Sequence, residues 1–297
     1  MSRFSIIDGS GLLFRSYYGF PDLSDDYATN TNMIYGFARM MLKLLNEQPE
    51  YLAIARDVGG KTARHEMDEN YKANRTAAPD DLVRQLRLSH QLATDLRVPA
   101  FGYPWYEADD VLATRVEKVK DVPWLYTTVV SSDKDLKQLI GERIDIFDPM
   151  KNKRTDQFIF AKEFGFAPAQ MADYLALIGD VSDNIPGVAG IWPKTATDLI
   201  KQFGTVEDIY NNIENIKKPI QEKLITWRES AFASKELVNL ITVPEMNLLD
   251  ISEAKLEINF DIMRHVLLDT YQFHSLVKMI DDLEKKFSKP VMQGLFG

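Results

Sequence analysis

The chain has 297 residues, 45% hydrophobic and 27% charged, with a formal net charge of −9 from 35 Lys and Arg against 44 Asp and Glu. That is the mix of an ordinary globular protein, and no run approaches the ~18 consecutive apolar residues of a membrane span. The absence of cysteine excludes disulfides, thiolate metal sites and cysteine nucleophiles, and an acid as early as Asp8 argues against a secretory leader, so a reducing cytoplasm is the expected address.

In chain order, residues 4–7 predict a compact apolar strand that stops at Asp8-Gly9. Residues 32–46 place Ile34, Phe37, Met41, Leu44 and Leu45 on one helical face. A second strand at residues 51–55 runs into Arg56-Asp57, and Pro79-Asp80 opens a helix carrying Leu82, Leu86, Leu92 and Leu96. Residues 124–130 give the strongest strand signal and end at Ser131-Ser132-Asp133, with one more strand at 144–147. Beyond about residue 160 helices take over, at 171–179, at 194–203 and as two patterns within 261–286, with Asp183-Asn184-Ile185-Pro186-Gly187 as a turn. This order predicts an α/β domain over residues 1–165, with a largely parallel central sheet and flanking helices. A helical domain follows over 166–287, and then a tail, 288–297, in which Pro290 breaks the helix and which is expected to be mobile.

Three predicted strands end in an aspartate: Asp8, Asp57 and Asp133. In an open parallel sheet, ligands bind beyond the carboxyl ends of the strands, so these acids are expected along one edge. More acids stand at predicted helix starts or turns: Glu107, Asp109, Asp110, Asp135, Asp180 and Asp183. A single aspartate at a helix start is most often a cap; the gathering of nine is what points to chemistry. So many carboxylates cannot stay ionised together without counter-cations. Hard divalent ions, Mg²⁺ or Mn²⁺, are the natural partners, and two of them roughly 4 Å apart form a clamp for attack on a phosphodiester. These nine acids account for the whole net charge, so the overall acidity is no argument against a nucleic-acid substrate.

The motifs Tyr106-Glu-Ala-Asp-Asp110, Ser132-Asp-Lys-Asp135, Gly179-Asp-Val-Ser-Asp-Asn184 and Tyr71-Lys-Ala-Asn-Arg75 closely resemble those of the 5′-nuclease family. That family comprises flap endonucleases, phage 5′–3′ exonucleases and the N-terminal nuclease domain of bacterial DNA polymerase I. The resemblance runs over roughly residues 4–260, and the chain resembles a free-standing member. It implies a PIN-like nuclease core and a metal-dependent phosphodiester hydrolase, a 5′–3′ exonuclease or flap endonuclease of DNA replication or repair that leaves a 5′-phosphate. Asp8, Asp57, Asp109 and Asp133 then match the acids around a first ion, with Glu107 and Asp110 close by. Asp135, Asp180 and Asp183 match the side of a second. The implied partners are DNA 5′ flaps and 5′ ends, with RNA primers on DNA as a further substrate. A non-catalytic DNA-structure binder would be expected to lack some of these acids, and none is missing.

The same resemblance makes residues 61–97 a helical arch over the metals. Lys72 and Arg75 would contact the scissile phosphate, Tyr71 would stack on the terminal base, and Arg64 and Lys61 would be outer phosphate contacts. Residues 61–97 hold seven Lys and Arg against six Asp and Glu, so no basic stripe is visible along the chain. Residues 186–196 match the family's helix-hairpin-helix-type motif, in which Gly187, Gly190, Trp192, Lys194 and Thr195 would meet the DNA backbone. Relatives often hold a monovalent cation there. Trp192 stands where glycine is usual and Pro193 biases it toward extended backbone, which argues against that ion here. Gln293-Gly-Leu-Phe296 resembles a shortened sliding-clamp-binding peptide. The four histidines, His65, His90, His265 and His274, show no ligand spacing, and there is no phosphate loop of the nucleotide-triphosphatase kind.

Overall fold

The structure, a computed structural model, describes residues 1–21, 23, 30–248 and 250–288. Its centre is a six-stranded sheet made of β1 (Ser2–Asp8), β2 (Tyr51–Ala55), β3 (Ala100–Phe101), β4 (Leu125–Val130), β5 (Ile144–Asp148) and β6 (Lys153–Thr155). The order across the sheet is β3-β2-β1-β4-β5-β6, parallel throughout except for the antiparallel pair β5 and β6. The chain leaves β1 toward β2 and later returns to its other side as β4. The strand order therefore reverses at β1, and a crevice opens beyond its carboxyl end. Register sets Asp8 opposite Ala55 and Ile7 opposite Val130, so the chain leaving β1, β2 and β4 emerges at one level.

The helices of the first half are α1 (Gly9–Gly19), α2 (Asn32–Leu45), α3 (Ala63–Met67), α4 (Asp80–Asp95) and α5 (Ala108–Val119). The second half adds α6 (Gln157–Phe164), α7 (Met171–Ile178), α8 (Pro193–Phe203), α9 (Val206–Asn211), α10 (Lys218–Thr226), α11 (Arg228–Val238), α12 (Phe260–Arg264) and α13 (Val277–Phe287). Alternation along β1 sends Phe4 and Ile6 into one core, with Val111, Leu112 and Val116 of α5 and Leu175 of α7. Ile7 goes into the other, with Met33, Ile34, Phe37 and Met41 of α2. A side chain at Gly36 would lie 2.7 Å from the Phe20 ring and 2.8 Å from Ser16 Cβ, so only glycine lets α1 and α2 approach this closely.

The helical domain expected over 166–287 does not close on itself. Residues 241–248 and 250–256 run back along the α/β domain, where the Ile241 and Val243 amides donate to Asp110 and Thr114, and the Leu256 amide to the Glu50 carbonyl. Met263, Val266, Leu267, Phe273, Leu276, Ile280 and Leu283 then join the α2 core. The physical reason is the apolar face of α2, where 11 of 14 residues are buried and need a cover that α1 and α4 do not complete. The expected arch is likewise divided, since Leu82, Gln85, Ser89 and Leu92 of α4 are buried, with the Gln85 amide bonded to Asn32 and its carbonyl to the Met33 amide. The clamp-binding reading of Gln293–Phe296 lies outside the described residues.

Candidate active site

Asp8 ends β1 and caps α1. Its Oδ1 accepts from the Gly11 amide at 2.8 Å and its Oδ2 from Ser131 Oγ at 2.7 Å. A Cβ at Gly11 would fall 2.2 Å from the Asp8 carboxylate, so glycine is required to seat it. Asp57, two residues beyond β2, accepts from the Ala108 amide at 2.7 Å and so caps α5. Asp133 follows β4 and accepts from the Asp135 amide at 2.8 Å. Asp109, in the first turn of α5, completes the group. Asp8, Asp57, Asp109, Asp133, Glu107 and Asp183 line one cavity of about 370 Å³, together with Ser10, Phe14, Arg15, Lys72 and Arg75.

A second group adjoins it. Carboxylate oxygens of Asp135, Asp180 and Asp183 lie within 4.8 Å of one another. Asp180 Oδ1 accepts from the Ser182 amide and hydroxyl at 2.8 and 2.6 Å, while Asp135 Oδ1 is enclosed and makes no hydrogen bond. An enclosed carboxylate oxygen without a hydrogen bond, approached only by the Lys134 ammonium at 3.4 Å and beside two further carboxylates, suits a hard cation.

The electrostatics follow from crowding. Burial, with Asp133 and Asp57 nearby, pushes Asp8 up to about 6. Removal from water and the Asp8 and Asp133 charges raise Asp109 well above the usual carboxylate range. Burial and the Asp133 charge push Asp135 up to about 7. For Asp180, burial acts upward but is outweighed by hydrogen bonds from Lys134 and Ser182, which hold it low. Asp8 and Asp135 titrate near 3.8 when unfolded, below their folded values, so they favour folding while protonated. That contribution fades as the pH rises from about 4 to about 7. In EDTA, thermal stability is therefore expected to fall between about pH 5 and about pH 7.5, and added Mg²⁺ to flatten the fall. Asp180 works in the opposite sense, but its contribution is lost only below about pH 4. Melting temperatures at the two pH values check this; a rise in EDTA contradicts it.

The basic segment is stitched to the acidic loop. The Lys72 amide donates to the Asp183 carbonyl at 2.9 Å, with Lys72 at φ 57°, and Asn74 and Arg75 donate to the Val181 and Ser182 carbonyls. Lys72 Nζ lies 2.9 Å from Glu107 Oε2 and 3.8 Å from Asp183, and Arg75 sits 2.6 Å from Asp183. Both cations thus face the cavity. Lys61 is exposed.

Four expected roles are corrected. Arg64 cannot reach a phosphate. It is 3% exposed, bonded bidentately to Asp110 at 2.7 and 2.8 Å, and donates to the Leu237 and Asn239 carbonyls. Asp110 is consumed by that pair and by the Glu107 and Ile241 amides, which leaves it a structural anchor and not a metal ligand. Tyr71 is buried. Its hydroxyl donates to Glu107 and Asp183 at 3.0 and 3.3 Å, and burial beside those carboxylates raises its pKa, so its ring cannot stack on a base. Gly187 is buried too, its amide on Ser234 Oγ and its carbonyl taking the Ser230 hydroxyl. In the same hairpin Gly190, Lys194 and Trp192 are exposed, Thr195 is half-buried, and α8 begins with no side-chain cap. At 73% exposure the Trp192 indole is not packed into the turn.

Sequence reasoning missed Ser131, which holds Asp8, and Phe14 and Arg15 on the cavity wall. The signal for the last two was Asp8-Gly-Ser-Gly11, the start of a helix whose next turn faces the same edge.

Residues 3–165 match the family described as 5′-3′ exonuclease, N-terminal resolvase-like domain, and residues 166–259 the 5′-3′ exonuclease, C-terminal SAM fold. The chain is 34% identical over 292 residues to a 5′-3′ exonuclease of Aquifex aeolicus, covering 97% of this chain and 99% of that one. It is 38% identical over 239 residues to DNA polymerase I of Bacillus caldotenax, covering 78% of this chain but 27% of the relative. The matches span no more than a third of such polymerases. Among solved structures, T5 5′-exonuclease with bound divalent metal ions (zinc) superposes with a TM-score of 0.67 at 22% identity, over 95% of this chain and 98% of that one. The catalytic core of Rad2 in complex with a DNA substrate gives 0.58 at 17% identity, over 95% and 92%. At these identities the likeness is one of fold.

Proposed function

The chain belongs to the 5′-3′ exonuclease family, and from that premise we propose that its cavity hydrolyses DNA phosphodiesters at 5′ ends and 5′ flaps with the help of divalent metal ions. The observation that carries the reading is the cavity itself. Acids from the ends of β1, β2 and β4 and the start of α5 form one wall, and Lys72 and Arg75 project into the same space. Asp8, Asp57, Asp109 and Asp133 would hold one ion and Asp135, Asp180 and Asp183 another; all-oxygen donors favour Mg²⁺, with Mn²⁺ as its substitute. Bound there, the ions would supply Lewis-acid polarisation of a phosphate oxygen and activation of water.

The chain's own groups do the rest. Lys72 and Arg75 sit on Glu107 and Asp183 and can transfer to an entering phosphate, where they would offset the charge that builds as water attacks phosphorus. The bond to the 3′ oxygen breaks and the 5′-phosphate stays with the downstream strand. Glu107, fixed by Tyr71 and Lys72, positions the start of α5. The aromatic wall for a terminal base is Phe14, 39% exposed at the cavity, and not Tyr71. Behind the site, Gly190, Trp192, Lys194 and Thr195 would hold the duplex, with the α8 amides meeting a phosphate. RNA primers on DNA would be accepted by the same backbone contacts. The expected place of work is the cytoplasm; among the described residues, no helix is long and apolar enough to cross a membrane.

The test follows a 5′-labelled flap on a DNA duplex with Mg²⁺, with Mn²⁺ and with EDTA, beside an Asp133→Asn variant. A discrete flap-length product, metal-dependent and absent in the variant, is the expected result. Mononucleotides alone would assign an exonuclease. Binding without cleavage under either metal would overturn the catalytic reading.

A further inference from the structure

The two acid groups differ in how the protein itself neutralises them. Among the described residues, no Lys or Arg lies within ion-pair distance of Asp8, Asp57, Asp109 or Asp133. The second group is partly compensated by cations of the chain. Asp183 is paired with Arg75 and approached by Lys72, while Lys134 Nζ is bonded to Asp180 Oδ2 and lies 3.4 Å from Asp135 Oδ1. Asp135 and Asp180 are two of the three acids whose oxygens converge within 4.8 Å. The Lys134 ammonium is thus in contact with the lone pairs a cation would need, and it has only donors to offer them.

We propose that Lys134 is a positioning residue for the second ion: its ammonium holds the place between Asp135 and Asp180, so that a divalent cation enters this group only by displacing it, and the second position loads after the first. The inference rests on the metal-dependent reading of the site given above. The geometry permits the exchange. Lys134 sits in a turn pinned by the Asp135 amide on Asp133 Oδ1, so the backbone stays while the side chain, 40% exposed, swings to water. Asp180 cannot follow it, because its Oδ1 is held by the Ser182 amide and hydroxyl. Lys72 and Arg75 leave Asp183 when they engage a phosphate, which clears the third carboxylate at the moment substrate arrives. The order of loading would then couple the second ion to occupancy of the cavity.

A plain structural role for Lys134, fastening residues 180–184 to the turn, makes the opposite prediction for metal. The experiment counts Mn²⁺ bound to the full chain by electron paramagnetic resonance, without DNA, for the native protein, Lys134→Met and Lys134→Arg. Thermal unfolding in EDTA is recorded for each. In the native chain the first and second Mn²⁺ are expected to differ in affinity by roughly tenfold or more, and Lys134→Met should tighten the second roughly tenfold with the first unchanged. Lys134→Arg keeps the charge and should restore the native gap. A second Mn²⁺ that binds Lys134→Met no tighter than the native chain overturns the proposal. If Lys134→Met does not fold, equal affinities of the two ions in the native chain overturn it instead. A native chain that binds no Mn²⁺ at all removes the metal-dependent reading along with it, a result distinct from one tight ion and an unchanged second.

Discussion

Asp109→Asn is expected to abolish cleavage and, at the same time, to make the metal-free protein more stable. The two effects have one cause. Asp109 stands in the first turn of α5 at the centre of the first acid group, with the charges of Asp8, Asp133 and Asp57 around it. Among the described residues no Lys or Arg pairs with it, since the nearby Lys72 is bonded to Glu107. Without bound cations its charge is a burden on the fold, as the upward displacement of its pKa expresses. An amide of the same shape relieves that repulsion, so the variant should need more urea to unfold in EDTA. With cations bound, the same charge is what holds them. Its loss should lower single-turnover cleavage of a 5′ flap by roughly three orders of magnitude, the scale of removing one element of an electrostatic catalytic site. Urea unfolding in EDTA and cleavage in Mg²⁺ are the two measurements. Cleavage within tenfold of native, or a lower stability in EDTA, would show that Asp109 is an ordinary cap.

Arg64→Met is expected to cost about 3–5 kcal/mol of stability, because it strands the Asp110 carboxylate in the interior. The guanidinium joins three segments far apart in the chain: α3, the first turn of α5, and the carbonyls of Leu237 and Asn239 at the end of α11. Asp110 in turn accepts the Glu107 and Ile241 amides. Removing the arginine therefore loosens the start of α5, which carries Glu107 and Asp109, and the return of the chain along the α/β domain. Asp110→Leu alone should also destabilise, because it strands the Arg64 charge, whereas Arg64→Met with Asp110→Leu should recover part of the loss, since an apolar pair leaves no buried charge. Urea unfolding of the three variants forms the cycle. If Arg64 were a phosphate contact, Arg64→Met would leave stability unchanged and reduce the salt dependence of DNA binding by one ion.

Much of this molecule is legible along the chain because it is set locally. Short segments of four to seven residues, 4–7, 51–55 and 124–130, each followed closely by an acid (Asp8, Asp57 and Asp133), are three of the parallel strands, and their ends line the site. The α2 face was equally plain, since Ile34, Phe37, Met41, Leu44 and Leu45 recur at helical spacing. Elements too short or too glycine-rich to carry a period escaped: the two residues of β3, the three of β6, and α1 with Gly9, Gly11 and Gly19. Residue type and motif position listed the acids but said nothing about which charges would face one another. Arg64 and Tyr71 read as DNA contacts because a one-dimensional motif lists their chemistry without their burial. Only the packed structure turned Arg64 onto Asp110, 46 positions away, and onto Leu237, 173 away, and sealed Tyr71 against Glu107 and Asp183. A charged side chain enters the interior when its partners from distant segments arrive there with it, and that meeting is decided by the fold as a whole.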